Sequence, residues 1–148
     1  MNIELMTQSK QRKLDSWAVS KDTLAQEWIK LNNNERNKFY GQGQVVMCEF
    51  GENIGYEICD WRPVLVISDN WYNKNGQVVV VPLTKNNRQQ KTHYILKKNK
   101  YDFLTFDSTA KTEQIKSIST IRLRNIIGKI NDEDLSRVKV RLKTLFNI

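Results

Sequence analysis

The chain has 148 residues, 39% of them hydrophobic, which is the length of one domain with an appendage and enough apolar surface for one core. No run approaches the roughly 18 apolar residues of a membrane span, and the N-terminus MNIELMTQSK lacks the apolar stretch of a secretory signal, so a cytoplasmic protein with no membrane contact is expected. A net charge of +8 favours a polyanionic partner, nucleic acid or an acidic protein.

In chain order, residues 1 to about 9 read as disordered. From Lys10 to Tyr40 the pattern is helical: Leu14, Trp17, Leu24, Trp28 and Leu31 fall on one stripe that predicts docking on the rest of the protein. Thr23 with Gln26 resembles a capping box and predicts a break near residues 20–22. The run Asn32-Asn33-Asn34 weakens the helix, and YGQGQ (40–44) is expected to end it. From Gly43 the period changes to two. QVVMCEF (44–50), RPVLVIS (62–68), QVVVVPL (77–83), THYIL (92–96) and TEQIKSIST (112–120) read as strands. Asn75-Gly76 is turn chemistry, and Pro82 predicts an end or a bulge in the third strand. The segment KKNKYDFLTFDS reads as an irregular connection. Asn131 caps a tail helix with Asp132, Glu133 and Asp134 in its first turn and Leu135, Val138, Leu142 and Leu145 on its buried stripe. The expected architecture is α+β: a small, twisted antiparallel β-barrel closed by a C-terminal helix, with an added N-terminal helical extension.

Charge is unevenly placed. Lys85, Arg88, Lys91, Lys97, Lys98 and Lys100 lie in a segment without an acid, and so do Lys116, Arg122, Arg124 and Lys129. Acid-free segments beside β-type runs point to phosphate binding. Several chemistries are disfavoured. A single histidine, His93, cannot supply a two-histidine ribonuclease mechanism within one chain, and its place among apolar neighbours in a strand predicts a structural role. No metal-ligand spacing, Gly-rich P-loop or GxSxG elbow occurs, and Cys48 and Cys59 lack CxxC spacing; no metal and no cofactor are expected. The candidates left are Glu57, Arg62 and Thr84. Glu57 follows the turn residue Gly55. Pro63 limits the backbone of Arg62 to extended conformations at the head of a strand. If the second and third strands form a hairpin, the start of one lies beside the end of the other, and Arg62 and Thr84 become neighbours.

The stretch GQVVMCEFGENIGYEICDWRPVLVIS resembles the opening of the MazF/PemK family of toxin endoribonucleases. The resemblance rests on Gly43, Glu49-Phe50, Gly55-Tyr56-Glu57, Arg62-Pro63 and Ser68, then Tyr72-Asn73, VPLT (81–84), EQIKSIS (113–119) and GKI before the tail helix. It covers about residues 43 to 147, and divides the chain into an extension, 1–42, and a toxin-like domain, 43–148, of the SH3-like CcdB–PemK type. Gln44, Gly51-Glu52 and the bulky Tyr56 depart from the usual pattern, and compact members have no counterpart of residues 1–42.

The resemblance implies metal-independent, sequence-specific cleavage of single-stranded RNA. The ribose 2′-hydroxyl attacks and leaves a 2′,3′-cyclic phosphate and a 5′-hydroxyl. It makes Glu57, Arg62 and Thr84 the catalytic residues and assigns RNA contacts to Tyr56, Trp61, Tyr72, Lys85, Arg88, Lys91 and Lys116. It further implies a homodimer and an antitoxin whose acidic, disordered segment neutralises the toxin. Two alternatives are a CcdB-like toxin that binds gyrase without catalysis and a plain nucleic-acid-binding β-barrel module.

Overall fold

The structure, a computed structural model, describes residues 2–86 and 88–148. Alternating apolar residues after Gly43 form the expected central strands. β1 (Gln44–Glu49) pairs antiparallel with β2 (Trp61–Val66), setting Val45 opposite Leu65 and Cys48 opposite Arg62. β2 pairs with β3 (Gln77–Thr84) in the register Val64↔Pro82, Leu65↔Val81, Val66↔Val80. β4 (His93–Leu96), β5 (Ser108–Lys111), β6 (Lys116–Ser119) and β7 (Leu123–Lys129) complete a seven-stranded sheet of order β4-β5-β3-β2-β1-β7, with β6 attached to β3. Every pairing is antiparallel. The sheet buries both of its faces. Even-numbered Val46, Cys48, Val64, Val66, Val78 and Val80 pack with Tyr40 and Phe50; odd-numbered Val45, Leu65, Val81 and Leu83 pack with Leu96, Ile130 and Val138. Full burial of such a side chain contributes roughly 1.5–3 kcal/mol, so this double-sided packing is the main source of stability.

Three expectations about the strands change. Pro82 neither ends nor bulges β3. On the side away from β2, β3 pairs with β6 as far as Val80 and with β5 from Leu83, so the residue without an N–H falls where one neighbour hands over to the other. The predicted strand 112–120 shortens to β6, because Thr112–Gln114 form a 3-10 turn; there the Thr112 hydroxyl donates to the Thr92 carbonyl at 2.5 Å. β5 starts at the last residue of the segment read as irregular and fills the stretch 108–111, where no strand was expected. Its Ser108, Thr109 and Ala110 are small and buried, and they carry no apolar alternation to announce a strand.

The N-terminal arm also differs from expectation. α1 runs unbroken from Ile3 to Lys30, so the predicted disorder before residue 9 and break near residue 20 are both corrected. Asn2 caps α1 by accepting from the Glu4 amide at 2.8 Å. Thr23 starts no new helix: its hydroxyl donates one turn back to the Val19 carbonyl, and Gln26 donates to Asp22, both within α1. The helix ends ten residues before Tyr40, because Asn32 turns the chain and caps a single turn, α2 (Asn33–Arg36). Arg36 then folds back, donating to the Trp28 and Ile29 carbonyls with its guanidinium 4.4 Å from the Trp28 ring. α1 docks through part of its predicted stripe: Leu24 is buried and Trp17 half-buried, while Leu14 and Trp28 stay exposed and Leu31 lies past the helix end. Among the described residues, no helix is long and apolar enough to cross a membrane.

α3 (Asp132–Phe146) is capped by Asn131 as expected and presents Val138 to the core. Asp134 is buried, accepts from the Tyr94 hydroxyl at 2.6 Å and from the Tyr101 hydroxyl, and has Lys100 at 3.7 Å. Burial alone would raise its pKa; the two hydroxyls and the ammonium outweigh that and lower it. Tyr94 and Tyr101 are pushed up to about 12, first by burial and then by Asp134.

Candidate active site

The hairpin register brings the start of β2 alongside the end of β3. Arg62 and Thr84 follow the parity of Val64 and Pro82, which places them on one face of the sheet. Arg62 is half-buried and donates from Nε to the Cys59 carbonyl at 2.9 Å. Its Nη groups have no hydrogen-bond or ion-pair partner among the described residues. Thr84 is 8% exposed, and its hydroxyl is buried without a hydrogen-bond partner among the described residues. An unmade hydrogen bond of this kind costs about 1–3 kcal/mol, so packing alone does not explain the hydroxyl at this position.

Glu57 is exposed in the loop that joins β1 to β2. Gly51 and Gly55 take positive φ, of 73° and 61°, and Asp60 does so at 70°. Two backbone bonds, Phe50 N to Asp60 O at 2.9 Å and Asp60 N to Gly51 O at 2.7 Å, close the base of the loop. Arg62 bonds the Cys59 carbonyl, and the Cys59 thiol donates to the Glu57 carbonyl at 3.5 Å, so the guanidinium stem folds back toward the loop that bears the acid. Glu57 and Arg62 form no ion pair with each other among the described residues. The acid is therefore not consumed by the base; its Oε1 accepts only from the Ile54 amide, at 3.3 Å, among the described residues.

Of the aromatics, Tyr56 stands at the loop tip with 99% exposure, beside Glu57. Trp61 opens β2, half-exposed, with the Arg124 guanidinium 5.7 Å from its ring. Tyr72 is exposed on a 3-10 turn between β2 and β3, at the opposite end of the hairpin from Arg62. Lys85, Arg88 and Lys91 are exposed in the loop after Thr84, and Lys116 is exposed on β6 opposite Val80. Two other bases of the acid-free segment are partly neutralised by acids distant in sequence: Lys97 lies 3.7 Å from Asp107, and Lys100 pairs with Asp134. His93 is buried with Nδ1 at 2.8 Å from the Arg88 carbonyl and Nε2 at 2.8 Å from Glu113, in line with a structural role. Cys48, opposite Arg62, is buried, and burial pushes its thiol up to about 12 despite nearby Arg122, Lys116 and Arg124.

One side chain that sequence reading missed is Gln114. Its Nε2 donates to the Tyr56 carbonyl at 2.8 Å and its Oε1 accepts from the Ile58 amide at 3.2 Å, gripping the loop on both sides of Glu57. The only sequence signal for it was its place in the EQIKSIS motif.

This sheet is that of a small toxin fold. MazF from Deinococcus radiodurans superimposes on 74% of this chain and 98% of its own, with a TM-score of 0.63 at 20% identity. A mycobacterial endoribonuclease in complex with its cognate antitoxin gives 0.59 at 20% identity, covering 74% of this chain and 96% of its own. In sequence, the chain belongs to the PemK-like, MazF-like toxin family of type II toxin–antitoxin systems, whose model matches residues 41–146. Endoribonuclease MazF9 of Mycobacterium tuberculosis is 29% identical over 108 residues, 69% of this chain and 92% of that protein. α1 and α2 lie outside the family match.

Proposed function

We propose that the chain is a toxin endoribonuclease that cuts single-stranded RNA at a sequence motif, without a metal, through attack by the ribose 2′-hydroxyl. The observation that carries this reading is that the hairpin register sets Thr84, whose hydroxyl has no partner among the described residues, on the same face as Arg62, whose Nη groups have none among them either, within a chain of the MazF/PemK family. Glu57 takes the 2′-hydroxyl proton, a transfer that contributes roughly 10²–10⁴-fold. Arg62 holds the charge that grows on the phosphorane with paired donors, and Thr84 bonds a non-bridging oxygen. Tyr56 and Trp61 stack on bases, and Lys85, Arg88, Lys91 and Lys116 hold flanking phosphates. Tyr72, at the far end of the hairpin, contacts RNA that runs on past the cut site. The P–O5′ bond breaks as the 2′-oxygen bonds to phosphorus, Arg62 polarises the departing 5′-oxygen, which takes a proton from water, and the products are a 2′,3′-cyclic phosphate and a 5′-hydroxyl. We read the curled sheet as the small barrel its strand lengths predict; the pairing of β3 with β2, β5 and β6 supports that. A homodimer, and an antitoxin with an acidic disordered segment, complete the reading; the net charge of +8 supports the latter.

Primer-extension mapping of cuts in a long RNA, with wild type and Arg62→Ala side by side, tests this. Discrete cuts by wild type that persist in EDTA and vanish in the variant are expected. A wild type that binds RNA or another macromolecule but never cuts would replace the nuclease with a binding-only toxin.

A further inference from the structure

We propose that Lys10 on α1 and Gln114, in the turn after β5, are positioning residues for Glu57, so that the arm outside the family match sets the geometry of the reaction loop. The inference rests on the nuclease reading of Glu57. The tip of that loop, residues 54–57, is exposed, and its internal bonds join Ile54 and Glu57 alone among the described residues: the Glu57 amide donates to the Ile54 carbonyl at 3.1 Å and the Ile54 amide donates to Glu57 Oε1 at 3.3 Å. Bonds confined to the tip leave it free to move as a unit against the sheet, because they tie it to nothing beyond itself.

The order must come from outside the tip. Gln114 supplies one anchor by engaging the peptide groups on both sides of Glu57. Lys10 supplies the other: its ammonium donates to Glu52 at 2.6 Å and to the Asn53 carbonyl. The Glu52 carboxylate is only 9% exposed, so its partner is not freely replaced by water. Asn53 links the two anchors, donating from Nδ2 to the Ile58 carbonyl at 2.7 Å and to the Phe50 carbonyl at 3.3 Å. Bonds thus run from α1 through Lys10, Asn53 and Ile58 to Gln114 and enclose Glu57. Trp17 stacks over Gly51 and Arg122 lies 5.5 Å from the Trp17 ring, which fixes α1 at the base of the same loop. The exposed bases that would hold RNA, Lys85, Arg88, Lys91 and Lys116, make none of these contacts. Loosening the anchors should therefore act mainly on the chemical step, because only Tyr56 among the proposed RNA-binding side chains belongs to the loop.

The test uses the full-length protein with Lys10→Met, which keeps the aliphatic stem, Lys10→Arg, which keeps the charge and donors, and Gln114→Ala. Amide hydrogen exchange reads loop order without RNA, and cleavage kinetics read Glu57. In Lys10→Met and Gln114→Ala, exchange at residues 54–58 should rise about tenfold while β1–β3 amides stay protected, and kcat should fall about tenfold with KM within twofold. Lys10→Arg should restore both. Unchanged exchange, or a loss confined to KM, overturns the proposal. A wild type that cuts no RNA defeats the nuclease reading separately; the exchange rates then decide by themselves whether the two side chains hold the loop.

Discussion

The sheet and the N-terminal arm are held in opposite ways. In the sheet, Val45, Val46, Val64, Leu65, Val66, Val80 and Val81 are all fully buried, and they lie on β1, β2 and β3, each paired with other strands on both sides. α1 is longer than any strand, yet Leu24 is its one buried residue among those described. It is attached by a few point contacts: Trp17 on Gly51, Lys10 on Glu52, and the return of Arg36. The family match begins at residue 41, where the densely packed part begins. The lesson is that burial carries the fold, while sparse polar contacts from an appendage reach the exposed loop that bears Glu57, the proposed general base.

The contrast can be broken on either side. The largest effect is expected at the site on the sheet. Arg62→Ala should lower the cleavage rate roughly 10²–10³-fold with the melting temperature preserved. Arg62→Lys should fail too, because a point charge does not reproduce the guanidinium fork. Next, Leu65→Ala, in the middle of β2, should lower unfolding free energy in denaturant titrations by about 2–5 kcal/mol. On the arm, Gly51→Ala meets both a positive φ of 73° and the Trp17 indole. It should cost about 1–3 kcal/mol and make residues 3–30 protease-sensitive, with sheet amides still protected from exchange.

The smaller predictions sharpen the picture. The lowered pKa of Asp134 means that its contribution is present above the ordinary Asp value and is lost as pH falls through the folded value. The raised values of Tyr94 and Tyr101 mean that theirs is present below about 10 and lost as pH rises toward about 12. Stability measured against pH should fall at both ends, and Asp134→Asn should flatten the acid side. Smallest in stability is Thr84→Val. It removes an unpartnered hydroxyl, so melting should stay level or rise, equivalent to about 1 kcal/mol or less, while cleavage drops.

Much of this was legible in the amino-acid order. The alternation in β1, β2 and β3, the Asn131 cap and the Arg62–Thr84 register follow from local period and hairpin geometry. What was missed has a common cause. β5 is built of Ser108, Thr109 and Ala110, small residues buried only because β3 and β4 lie on either side. The extent of α1 was misjudged because Thr23 bonds back within the helix instead of capping a new one. The acid-free stretch looked uniformly available for phosphate, yet Lys97 and Lys100 meet Asp107 and Asp134 in space.

By itself, the sequence determined the family, the pairing of an acid-bearing loop with Arg62-Pro63, and the strands that carry them, because each is written in neighbours a few residues apart. Only the tertiary structure decided that the Thr84 hydroxyl is buried without a partner among the described residues, that Gln114 grips the peptides around Glu57, and that Lys10 reaches Glu52. Those contacts join residues far apart in the chain, and no local period encodes which distant side chain will fill a given gap.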